Sequence, residues 1–135
     1  MSDCLFCKII AGEIPYDKIY EDEKVLAFLD ISPINPGHVL LIPKEHFDNT
    51  LETPDEILAY MTKIVKKIVP AIIKATGADA WNLGVNNGSG AGQIIFHTHW
   101  HIIPRLADDG LKHWPGKPYP KGENKIIAEK IKQNL

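Results

Sequence analysis

What this 135-residue sequence has little of narrows its class before any motif is read. It carries two cysteines, Cys4 and Cys7, and a single arginine, Arg105. Two thiols do not staple a domain of this size, and Met1-Ser2-Asp3-Cys4-Leu5 shows no basic stretch leading into an apolar one. A disulfide scaffold and a secreted chain are therefore not expected, and a reducing cytoplasm is. No apolar run approaches the roughly 18–20 residues of a membrane span. There is no internal repeat, low-complexity tract or linker. With 44% hydrophobic and 24% charged residues, residues 1–135 read as one domain. A chain of that length buries about two-thirds of its unfolded surface without a staple.

Charge is unevenly distributed behind a net of −2. Residues 1–60 hold 4 lysines against 12 Asp/Glu, and residues 61–135 hold 11 Lys/Arg against 5 Asp/Glu. The lysines are scattered at helical spacing rather than packed into a basic stripe with interleaved aromatics. That pattern describes a solvated helix face, which sets long nucleic acids aside and keeps small anions in view.

The hydrophobic pattern places the elements. Leu5 to Ile10 reads as a short helix stopped by Gly12 and Pro15. Ile19-Tyr20 and Val25 to Leu29 read as strands across a polar turn, and His38 to Pro43 as a buried strand after the Pro- and Gly-punctuated loop 31–37. Thr53 as N-cap, Pro54 at the first helical position, Asp55 and Glu56 in the first turn and Gly77 at the end bracket a long helix. Its apolar residues Ile57, Met61, Ile64, Val65, Ile68 and Ile72 recur every three or four positions. Pro70 is expected to kink it. Trp81 to Asn86 and Ile94 to Ile103 read as two more strands, and Glu123 to Leu135 as a last helix. Strands that outnumber long helices without alternating with them predict an α+β fold on an antiparallel sheet.

The chemistry concentrates in Phe96-His97-Thr98-His99-Trp100-His101. On a strand, period 2 sets His97, His99 and His101 on one face. Three buried imidazoles would each need a partner for their polar nitrogens, so a purely structural role is disfavoured. Nor do the three converge on one metal. Alternate residues stand about 6.6–6.8 Å apart along a strand, so the outer pair is separated by about 13 Å. A division of labour fits better, and a neutral imidazole on a rigid strand is a competent nucleophile toward phosphorus. Upstream, Asn86-Asn87-Gly88-Ser89-Gly90-Ala91-Gly92-Gln93 lets backbone approach an anion. It is neither a P-loop nor a dinucleotide fingerprint, because no Lys-Ser/Thr and no helix follow. Cys4-x-x-Cys7 admits two readings: a pair of buried thiols, or half of a tetrahedral zinc site for which His46 and His97 are available. His113, between Lys112 and Trp114, reads as a surface loop residue.

The segments CLFCKIIAGEIP, FLDISPINPGHVLLIPKEH and NNGSGAGQIIFHTHWHIIPR, in that order and spacing, resemble the histidine triad (HIT) family of nucleotide hydrolases and transferases. The likeness is strongest to the small bacterial, cysteine-bearing branch. It implies a five-stranded antiparallel sheet with one long helix and short terminal helices, a homodimer, and purine nucleotide substrates attacked at the α-phosphorus. By the same resemblance His99 is the nucleophile, with His101 and His38 at the phosphate and His38 polarising His99. Asp30 falls at the ribose position, Phe6, Ile9, Phe28 and Ile31 at the base, and Asn86, Gly92 and Gln93 at the phosphates. Cys4, Cys7, His46 and His97 fall at the ligands of a structural zinc. The family's phosphoramidase branch has a serine after the glutamine that assists amine departure. Ile94 stands there, which favours pyrophosphate substrates such as dinucleoside polyphosphates. The alternative within the resemblance is a nucleotide-binding regulatory or scaffold protein with incidental catalysis. Transfer onto a sugar phosphate is disfavoured by His101 and by the chain's short length.

Overall fold

A computed structural model describes residues 3–135. Along the chain run α1 (Leu5–Ile10), β1 (Lys18–Glu21), β2 (Val25–Leu29), β3 (Val39–Pro43), α2 (Asp55–Thr76), β4 (Ala80–Gly84), β5 (Trp100–Arg105) and α3 (Glu123–Gln133), with single 3-10 turns at Thr50–Glu52 and Ser89–Ala91. The strands form one sheet in the order β1-β2-β3-β5-β4, every neighbouring pair antiparallel. This is the α+β architecture expected from the sequence.

The unbroken apolar runs of β2 and β3 are explained by cover on both faces. Val25, Ala27, Val39 and Leu41 pack on Met61, Ile64, Val65, Ile68, Val69 and Ile72 of α2. The alternate residues Leu26, Phe28, Leu40 and Ile42 pack on Phe6 and Ile9 of α1. The long helix and the short one thus lie on opposite sides of the sheet, and α1 reaches the face where the histidines gather.

The structure departs from the sequence expectation at several points. The helix begins one residue later, with Pro54 in the N-cap position and no side-chain cap. Thr53 is drawn away from capping: its hydroxyl donates to the Asn49 carbonyl at 2.8 Å and pairs with the buried Thr98 hydroxyl at 2.7 Å. Helix α2 continues unbroken through Pro70, which lies on its exposed face, where the carbonyl deprived of a donor meets water. Gly77 ends it in the left-handed conformation, φ 74°, as expected. The strand read from Ile94 begins only at Trp100. Its ladder to β3 starts at the Leu41–Trp100 pair; before it, residues 97–99 are held by the Thr98 amide on the Phe47 carbonyl at 2.7 Å and by the side chains of His97, Thr98 and His99. β4 correspondingly stops at Gly84, opposite His101. Beyond β5 the chain has no regular structure until α3, none of whose residues is buried. Among the described residues no helix is long and apolar enough to cross a membrane.

Candidate active site

The approach to β5 sends its three histidines to two places. His97 is fully buried, and its Nε2–H donates to the Pro43 carbonyl at 2.7 Å. Its bare Nδ1 therefore faces Cys4 Sγ at 3.5 Å and Cys7 Sγ at 3.6 Å. His46 is arranged alike, with Nδ1 3.4 Å from Cys7 Sγ and Nε2 on the Asp48 carboxylate at 2.9 Å. The four donor atoms lie within 4.8 Å of one another. Zinc–sulfur and zinc–nitrogen bonds of about 2.3 and 2.0–2.1 Å, set at a tetrahedral angle, put sulfur and nitrogen roughly 3.5 Å apart. The observed spacings match, and the outer nitrogens of both rings already hold the hydrogen bonds that orient a metal-ligating imidazole. Cys4 also caps α1, its sulfur accepting from the Cys7 amide at 3.4 Å.

His99 and His101 turn instead to an open pocket of roughly 330 Å³ between α1, the sheet and the glycine-rich loop. The His99 Nδ1–H donates to the His97 carbonyl at 2.7 Å, so its Nε2 carries the lone pair. Phe6 meets the His99 ring edge-on, with centroids 5.0 Å apart. His101 is fixed by a relay. The Ile34 amide donates to His38 Nδ1 at 3.1 Å, which leaves the neutral His38 ring with its proton on Nε2. That proton is given to His101 Nδ1 at 2.9 Å, so His101 presents Nε2–H. His38 thus orients His101, not His99 as the resemblance implied, because the His97 carbonyl already occupies the inner nitrogen of His99. The Ile34 amide also argues against a metal on Asp30, His38 and His101, whose donor atoms cluster, since it leaves His38 Nε2 protonated.

Burial keeps these rings neutral. It pushes His97 and His101 down to about 4, His101 further disfavoured by the neighbouring His99 and His38. The same desolvation lowers His38 and His99 below the ordinary histidine range. Burial, reinforced by Cys4, raises the Cys7 thiol to about 11.

Phe6, Ile9 and Phe28 wall the closed end of the pocket, and Asp30 lies at its side with Oδ2 3.7 Å from His38 Nε2. Ile31 lines the rim at 90% exposure. Asn86 and Gly92 line the pocket together; Gly92 has φ 94°, and a Cβ there would stand 3.5 Å from the Asn86 amide. The Gln93 side chain is buried and committed to backbone: it accepts from Gly88 N at 2.8 Å and donates to the Asp48 and Ile95 carbonyls at 2.6 and 3.1 Å. The amides of Ala91, Gly92 and Gln93 are likewise spent inside the loop, so it offers a rigid wall more than a row of free donors. The sequence reading passed over Ile14, Pro15, Tyr16 and Leu40, which complete the apolar wall. An apolar triplet directly after a helix stop was the available signal.

A histidine-triad fold is therefore what sheet, pocket and histidines define together. The HIT domain profile matches residues 11–108, and the chain belongs to the HIT family. It is 54% identical over 128 residues to adenylylsulfatase HINT3 of Arabidopsis thaliana, covering 95% of this chain and 64% of that protein's length. It is 42% identical over 134 residues to adenosine 5'-monophosphoramidase hnt1 of Schizosaccharomyces pombe, covering 98% of both. Among solved structures it resembles SMU.412c of Streptococcus mutans UA159, with TM-score 0.92, 47% identity, and 99% and 86% of the two chains covered. It also resembles a Zn-bound histidine triad family protein of Mycobacterium smegmatis, with TM-score 0.79, 35% identity, and 98% and 95% covered.

Proposed function

We propose that this chain hydrolyses purine nucleotide derivatives at the α-phosphorus through a covalent nucleotidyl–His99 intermediate. One observation carries the reading: the His97 carbonyl holds the His99 Nδ1–H, and the free Nε2 belongs to a ring that lines an apolar pocket beside a second histidine donor. Nε2 attacks phosphorus as the bond to the leaving group breaks and its electron pair departs with that group. The ring becomes cationic, and the carbonyl at Nδ1–H stabilises that charge. His101 Nε2–H and the Asn86 amide donate to the phosphoryl oxygens. Water then attacks phosphorus, loses its proton to solvent, and returns the Pα–Nε2 electron pair to His99 with release of the nucleoside monophosphate.

Phe6, Ile9, Phe28 and Ile31 sandwich the base, and Asp30 accepts from a ribose hydroxyl. Gly92 gives the phosphates close approach, while Gln93 acts through the loop it fixes. Ile94, 87% exposed at the rim, has no hydroxyl to give a departing amine. Groups that leave as stable anions, the phosphates of a dinucleoside polyphosphate or the sulfate of adenylyl sulfate, are favoured over ammonia.

Cys4, Cys7, His46 and His97 fit zinc, which with four protein ligands and no open position serves to fasten α1 in place. Thiol ligands of this kind suit a reducing cytoplasm. β4 is a sheet edge with Trp81 and Leu83 exposed at 39% and 45%, and a second copy pairing there gives a homodimer.

The test is mass spectrometry after mixing with diadenosine tetraphosphate or adenosine 5′-phosphoramidate, quenched at neutral to alkaline pH. An adenylyl adduct on His99, absent from His99→Ala, is expected, and it forms faster from the polyphosphate. No adduct and equal slow turnover in both proteins refutes catalysis and leaves a nucleotide-binding scaffold.

A further inference from the structure

The His38–His101 relay depends on one backbone amide, that of Ile34, and the loop carrying it is fastened to the far end of β5. Asn35 Nδ2 donates to the Pro104 carbonyl at 2.9 Å and to Asp109 Oδ2 at 3.1 Å. The Asn35 carbonyl accepts from the His38 amide at 3.0 Å. The Asp109 carboxylate, only 5% exposed, is held in turn by four donors. Arg105 reaches it through Nε at 2.8 Å and Nη2 at 3.2 Å, and the Leu106 and Leu111 amides at 3.1 and 3.0 Å. Arg105 completes the knot with Nη1 on Asn82 Oδ1 at 2.8 Å.

From this connected set we infer that Asn35 and Asp109 are positioning residues, which set the protonated nitrogen of His101 by holding Ile34 N–H against His38 Nδ1. A neutral imidazole has one N–H, so the ring that accepts at Nδ1 must donate from Nε2. If loop 34–38 slackens, His38 is free to take the opposite tautomer. His101 then places its proton on the inner nitrogen and turns a lone pair toward the phosphate, where repulsion replaces a hydrogen bond. The buried carboxylate, more than twenty residues before the chain's end, thereby reaches the chemistry without touching substrate.

This inference rests on the proposed hydrolytic reading for its rate arm only. The direct measurement is nitrogen-15 imidazole spectroscopy of the full chain with selectively labelled histidine. Expected in the wild type are bare Nδ1 and protonated Nε2 on both His38 and His101. Expected in Asn35→Ala and Asp109→Ala is loss of that pattern at both rings, while circular dichroism and the His97 and His46 signals stay unchanged. In turnover, both alanine variants lose at least about tenfold in kcat with a smaller change in KM. Asp109→Asn, which keeps an oxygen for Asn35, recovers part of the rate. A wild-type His38 protonated on Nδ1 overturns the proposal, and this needs no variant to fold. Folded alanine variants with wild-type tautomers overturn it as well. If the wild type turns over no nucleotide, the hydrolytic reading fails while the tautomer pattern still decides on the clamp.

Discussion

Replacing Cys7 with serine removes one ligand of the proposed zinc site while keeping side-chain size, and the expected outcome is a loosened α1. Burying Phe6 and Ile9 contributes about 3–6 kcal/mol. The edge-on contacts of Phe6 with Phe28, His97 and His99, at centroid distances of 5.6, 5.9 and 5.0 Å, add about 1.5–4.5 kcal/mol together. Ordering the backbone of this six-residue helix costs about 6–12 kcal/mol. The two sides nearly cancel, so α1 is marginal on its own and a metal that grips it at Cys4 and Cys7 decides whether it stays docked. Because α1 supplies a pocket wall and no reacting group, Cys7→Ser raises KM for nucleotides several-fold more than it lowers kcat. Elemental analysis shows loss of stoichiometric zinc, and hydrogen exchange accelerates at the Lys8 and Ala11 amides, which now bond the Cys4 and Cys7 carbonyls. A metal-free variant with wild-type protection in α1 and unchanged KM refutes the reasoning.

Other expectations follow from the same geometry. Gly37 sits at φ 91° with the side chain of Thr76 where a Cβ would go, so Gly37→Ala costs about 1–3 kcal/mol in urea unfolding and slows turnover by displacing the loop that bears His38. Gly90, with open space around it, tolerates alanine within about 0.5 kcal/mol, and equal losses at both positions contradict the account. His101 titrates near 4 in the folded chain against an ordinary 6.5. The unfolded state therefore binds more protons between those values, and stability is full above pH 6.5 and falls as pH drops toward 4, by an amount on the order of 3 kcal/mol. Urea midpoints that stay level from pH 7 to pH 5 exclude that burial cost. Leu83→Lys on the β4 edge is expected to convert the proposed dimer to monomer in sedimentation velocity; a wild type that sediments as a monomer removes the interface.

The sequence made the elements legible where one physical pattern dominated. The α2 stripe and the Gly77 stop were plain because helical period and left-handed backbone leave local signatures. The cap was misplaced because Thr53 is claimed by Thr98, a partner 45 positions away. That the three histidines do not converge on one point was legible from strand spacing alone, yet the strand itself starts at Trp100 because the ladder to β3 begins only at the Leu41–Trp100 pair. The pairing of His38 with His101 was not legible at all. It depends on which ring nitrogen each neighbour occupies, and that is decided by the Ile34 amide and the His97 carbonyl, backbone groups that every sequence possesses.

The last of these groups has a consequence for how such a chain tolerates change over time. The proton on the inner nitrogen of His99 is held by main chain, so no replacement of the residue at position 97 deletes its acceptor. Loss of the His97 ring would cost the cysteine cluster a member while the proposed nucleophile kept its orientation. A single residue inserted between 97 and 99 would do the reverse, leaving every side chain present and turning the wrong nitrogen of His99 toward the pocket. This stretch is guarded by its length more than by its letters, and the proposed metal cluster and the proposed reacting ring are free to be lost separately.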